Sequence, residues 1–107
     1  MSTEEAKRAV ANKLESALED KFRRVVMGRL RGRTMKIVPF EKGAPDRLVI
    51  LPPGIIHVVE LKTDSGELSP AQRVWHAKAL RCGYHVVTIS GEAELMDWAD
   101  RMAQLNK

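Results

Sequence analysis

Apolar residues recur at helical spacing in the first quarter of the chain. Val10, Leu14, Leu18, Phe22 and Val25 fall on one stripe, which predicts a long helix from about Thr3 to Gly28 with that stripe buried. Thr3 suits the cap, with Glu4 and Glu5 in the first turn. The pattern then changes to short apolar, β-branched runs. Thr34 to Phe40, Asp46 to Leu51 and Ile55 to Lys62 read as strands. Pro52-Pro53-Gly54 is a turn signal between the last two. Asp64 to Glu67 reads as a further turn. Ser69-Pro70 opens a helix that runs to about Arg81, with Ser69 as cap and Pro70 in the first turn. Gly83 is its left-handed stop. Tyr84 to Ser90 predicts a fourth strand. Glu92 to about Leu105 predicts a last helix with Leu95, Trp98, Met102 and Leu105 inward. The order αβββαβα describes an α/β domain, a mixed four-stranded sheet flanked by helices.

The 107 residues suffice for one compact domain, 1–107, with no repeat or linker. No window is apolar enough for a membrane span. The polar, acidic start Met1-Ser2-Thr3-Glu4-Glu5 lacks the features of a signal peptide, so a cytoplasmic location is expected. Cys82 stands alone, which rules out an internal disulfide and a cysteine zinc site. It reads as a small helix-end packing residue.

The net charge of +4 is modest, but the basic residues are unevenly placed. Lys21, Arg23, Arg24, Arg29, Arg31, Arg33 and Lys36 lie close together. Such a cluster suits a polyanion such as nucleic acid. The blander alternative is a solvated helix end followed by a charged loop, since cations also suit the negative end of the helix dipole.

Chemistry concentrates where the apolar runs meet charge. Asp46 sits at the start of the second strand, and Glu60-Leu61-Lys62 ends the third. Charges flanked by buried positions are costly unless they bind something. If Pro52 lies opposite Ile55, antiparallel pairing sets Asp46 opposite Leu61. A one-residue change of register sets it opposite Glu60. Glu60 and Lys62 share a face because strand side chains alternate. Two carboxylates at one strand end suit a hard cation such as magnesium. Lys62 is then placed to hold a water or to stabilise charge on a phosphate. The plainer alternative is a structural Glu60–Lys62 salt bridge. His57, His76 and His85 have no metal-ligand spacing and read as packing or surface residues. Trp75 and Trp98 read as helix packing.

The string Gly43-Ala44-Pro45-Asp46-Arg47, then Glu60-Leu61-Lys62, then Ser69-Pro70-Ala71-Gln72, resembles the VRR-Nuc branch of the PD-(D/E)XK nucleases. Gly83-Tyr84-His85-Val86-Val87 adds to the likeness, which runs from about Glu15 to Leu95. The resemblance implies a restriction-endonuclease-like core and a DNA nuclease dependent on Mg2+ or Mn2+. It implies Asp46, Glu60, the Leu61 carbonyl and Glu19 as metal ligands, with Glu15 as the rival to Glu19. It further implies Lys62 as the catalytic lysine and Gln72 as a residue near the site. Gln72 also fits a capping box with Ser69. Similarity to Holliday-junction resolvases implies a branched substrate and a homodimer. The basic segment, with Lys42 and Arg47, would contact phosphates. The alternative function is a nucleic-acid-binding domain that keeps the fold without cutting.

Overall fold

The computed structural model describes residues 2–39, 41–64 and 66–105. Helix α1 spans Thr3–Arg24 and continues into a π-helical segment, Val25–Arg29. Strands β1 (Arg33–Lys36), β2 (Arg47–Leu51) and β3 (Ile55–Lys62) follow. Helix α2 (Pro70–Arg81), strand β4 (Val87–Ser90) and helix α3 (Gly91–Leu105) complete the order αβββαβα. The four strands form one sheet in the order β1-β2-β3-β4. The first two pairings are antiparallel and the β3–β4 pairing is parallel. The mixed α/β sheet is therefore the one the sequence predicts.

Ser2 caps α1, not Thr3: its side chain accepts the Glu5 N–H at 3.1 Å. The helix widens at Val25, where the Leu30 N–H reaches the Val25 carbonyl at 3.0 Å. That wider turn lets the adjacent residues Val25 and Val26 both enter the core. The core lies between one face of the sheet and the α1–α3 pair. It gathers Leu18, Phe22, Val25, Val26, Leu30, Val49, Leu51, Val59, Ile89, Leu95, Trp98 and Ala99. Phe22 stacks on Trp98 with ring centroids 5.7 Å apart, and His57 meets Trp98 edge-on. Lys21–Glu92 and Arg29–Asp100 ion pairs join the end of α1 and the π segment to α3.

The predicted stripe is buried only in its second half. Leu18, Phe22 and Val25 are inside, whereas Val10 and Leu14 are exposed. Every residue from Thr3 to Ala17 is exposed, and the molecule measures 50 × 32 × 22 Å because α1 outruns the sheet. Leu105 is likewise exposed. β1 ends at Lys36, short of the predicted strand, whose last residue, Phe40, lies outside the described residues. β4 begins at Val87 and not at Tyr84. The Tyr84 hydroxyl accepts the Val58 N–H at 2.7 Å, taking the place a fourth-strand carbonyl would have filled. Gly83 closes α2 at φ 88°, the left-handed stop that its sequence predicts. Cys82 is exposed and does not pack.

Candidate active site

Strand register decides what Asp46 and Glu60 can do together. Leu51 pairs with Ile55 and Arg47 with Val59. The three-residue turn Pro52–Gly54 is closed by the Gly54 N–H on the Leu51 carbonyl at 2.7 Å. This is the second of the two registers the sequence allows. One step further along the ladder, Asp46 lies opposite Glu60. The backbone of Asp46 still belongs to the sheet, since its carbonyl accepts the Ile37 N–H at 2.8 Å.

Alternation then sorts the side chains. Arg47, Val49 and Leu51 point into the core. Asp46 and its cross-strand neighbour Glu60 therefore point to the opposite face, and Lys62 joins them two residues on. Helix α2 lies over this face and brings His76 to Glu60. The His76 Nε2 stands 3.5 Å from Glu60 Oε1, with both side chains largely enclosed. Burial pushes the Glu60 carboxyl above the ordinary glutamate value, while His76 and Lys62 pull it down and the Asp46 charge pushes it up. Register, strand alternation and the α2 contact together set Asp46, Lys62 and His76 around one carboxylate.

The other residues implied by the resemblance make different contacts. Glu19 is engaged by Arg47, with Oε1 3.2 Å from Nη2, and stands 3.9 Å from Lys36 Nζ. It packs on the core side through Arg47. Among the described residues no group of three His, Cys, Asp or Glu is gathered for a metal, and the contact shown for Glu19 is to Arg47 on the core side. Glu15 is exposed one turn earlier. Gln72 is committed to the cap of α2. Its Oε1 accepts the Ser69 N–H at 2.8 Å, and its own N–H donates to Ser69 Oγ at 3.1 Å. The Leu61 side chain packs against the core, and its backbone lies between Glu60 and Lys62 on β3.

Arg47 corrects the expectation that it contacts phosphate. It is buried, with its guanidinium 5.8 Å from the Phe22 ring centroid and paired with Glu19. Neighbouring Asp46 in sequence sends it to the opposite face. The basic cluster is also divided. Lys21 and Arg29 are spent on ion pairs with α3. Arg33 pairs with Ile50, which sets it roughly 13 Å along the strand from Asp46. Arg23, Arg24, Arg31 and Arg33 remain exposed.

His76 is the residue the sequence reading missed. One signal was present: His76 is four residues after Gln72, and residues at that spacing share a helix face. His57 is a packing residue, as expected. Burial pushes its imidazole below the ordinary value, and Trp98 stands beside it. Trp75 Nε1 donates to Glu41 Oε2 at 3.1 Å, tying α2 to the loop ahead of Asp46.

Comparison with known proteins agrees with this architecture. A solved VRR_NUC domain superposes with a TM-score of 0.59 at 29% identity, covering 79% of this chain and 89% of that one. Protein p44 of Acyrthosiphon pisum secondary endosymbiont phage 1, provisionally named a nuclease, is 36% identical over 56 residues. That match spans 52% of this chain and 60% of p44. No family model matches the chain. The sheet order and the likeness to the solved domain together support a VRR-Nuc domain with the restriction-endonuclease-like fold.

Proposed function

We propose that this protein is a metal-dependent DNA nuclease that hydrolyses phosphodiester bonds. The observation that carries this reading is the β2–β3 register, which faces Asp46 with Glu60 and sets Lys62 on the same side. The donor set suits Mg2+ or Mn2+: two carboxylates, with the Leu61 backbone carbonyl as a third oxygen. Such ions prefer oxygen ligands and retain several waters, so few protein donors suffice. A bound ion supplies polarisation of the phosphoryl oxygen and a more acidic water. Asp46 and Glu60 hold the site and orient what binds there. Lys62 stabilises charge on the phosphate and positions the attacking water. Gln72 serves from the cap, fixing the first turn of the helix that carries His76. Glu19 holds Arg47 and is left out of the ligand set.

The substrate follows from charge and resemblance. Exposed Arg23, Arg24, Arg31 and Arg33, with Lys42 in the loop ahead of Asp46, contact phosphates. Such contacts grip a duplex without reading its sequence. The likeness to junction resolvases favours branched DNA and a two-fold dimer that presents two sites to two strands. The exposed apolar residues Val10 and Leu14 of α1 offer a second copy of the chain a surface to cover. No helix among the described residues is long and apolar enough to cross a membrane.

Nicking of linear and four-way-junction DNA by the purified protein, with Mg2+, with Mn2+ and with chelator, tests the reading. Cleavage is expected with either ion and to be lost with chelator. Lys62→Ala is expected to lower the rate by about 10²-fold or more while leaving DNA binding intact. Binding without cleavage on every substrate would favour the non-cutting alternative.

A further inference from the structure

Helix α2 covers the site yet contributes no buried residue to the core. Its sheet-facing attachment at the site is polar: His76 against Glu60. A buried carboxylate with two oxygens can offer one to a hydrogen bond and the other to a cation. In the structure Oε1 is the oxygen that faces His76. The imidazole ring is stiff and largely enclosed, so it fixes the carboxylate's rotation as well as satisfying one oxygen.

We infer that His76 is a positioning residue for Glu60. With its proton on Nε2, the ring holds Oε1 and turns Oε2 toward Asp46, where a divalent cation would sit. This rests on the metal-site reading above. His76 is not itself a ligand in this arrangement. Its contribution is the cost it removes: without it, the buried carboxylate must be reoriented each time an ion binds. Partners that orient a ligand in this way change metal affinity by roughly 10–100-fold when removed.

Mn2+ binding measured by electron paramagnetic resonance, with no DNA and no turnover, provides the readout. Wild type, His76→Ala, His76→Phe and His76→Gln are compared. The alanine and phenylalanine variants are expected to bind Mn2+ about 10–100-fold more weakly. The glutamine variant keeps an N–H donor and is expected to return to within a few-fold of wild type. Phenylalanine fills the space of the ring without a donor, so weak binding there separates positioning from packing. Circular dichroism establishes that each variant is folded, which is expected because α2 adds nothing to the core. If wild type binds Mn2+ and the alanine and phenylalanine variants bind equally well, the role assigned to His76 is overturned and the metal site stands. If wild type binds no Mn2+, the metal reading itself falls, and the inference with it.

Discussion

At the scale of single residues, burial works against the charge of Glu60. Only 4% of its surface remains exposed, and desolvation raises its carboxyl above the ordinary value near 4.5, with Asp46 adding to the rise. The folded protein thus holds a proton there more tightly than the unfolded chain. Stability is lost as pH climbs from the unfolded value through the raised folded one, and the full cost remains above it. Glu60→Gln removes that cost and keeps an oxygen for His76. Its melting temperature is expected to exceed that of wild type by a few degrees at pH 8. The two curves should converge in acid, below about pH 4. A variant no more stable than wild type at pH 8 would show that the charge is well solvated. The same substitution is expected to abolish nicking, so stability and activity move in opposite directions. Asp46, Glu60 and Lys62 were legible in the sequence because all three lie on two strands joined by a short turn. Arg47 and His76 were not. Which face a strand residue occupies follows from register, and which helix covers that face follows from tertiary packing.

At the scale of elements, α2 shows how little apolar burial a helix needs when polar contacts fix it. The Ser69–Gln72 capping box, the Trp75–Glu41 bond and the His76–Glu60 contact hold it in place. A fourth attachment is steric. Gly43, at φ 89°, sits so close to the Ala71 backbone that a Cβ would collide with it. Gly43→Ala is expected to cost about 1–3 kcal/mol from the left-handed backbone alone, read as a fall in urea midpoint. It should also push α2 away from the Asp46 loop and weaken Mn2+ binding. An unchanged midpoint and affinity would mean that loop and helix are free to separate. The limits of β3 and α2 were readable because turn and cap residues mark them. The inner length of α1 was not readable. Its apolar spacing continues through Val10 and Leu14, and only the finite width of the sheet decides where burial stops.

At the scale of the whole molecule, the element order and the mixed character of the sheet were legible from pattern alone. The neglected side of the sheet was not: the core is one-sided, and among the described residues it is α2 that covers the face carrying the site. One further consequence lies in the strand order β1-β2-β3-β4. The first three strands join through local antiparallel pairings, whereas β4 reaches β3 only after a crossover through α2. Closing that crossover brings distant segments together before α2 has buried anything to offset the lost chain entropy. The β2–β3 hairpin is therefore expected to form early in folding and β4 to dock late. Stopped-flow kinetics should show Val49→Ala mainly slowing folding and Ile89→Ala mainly speeding unfolding; the reverse pattern would place the nucleus at the parallel pair. Asp46 and Glu60 would then face each other while the chain is still assembling, and His76 would arrive only with the final closure.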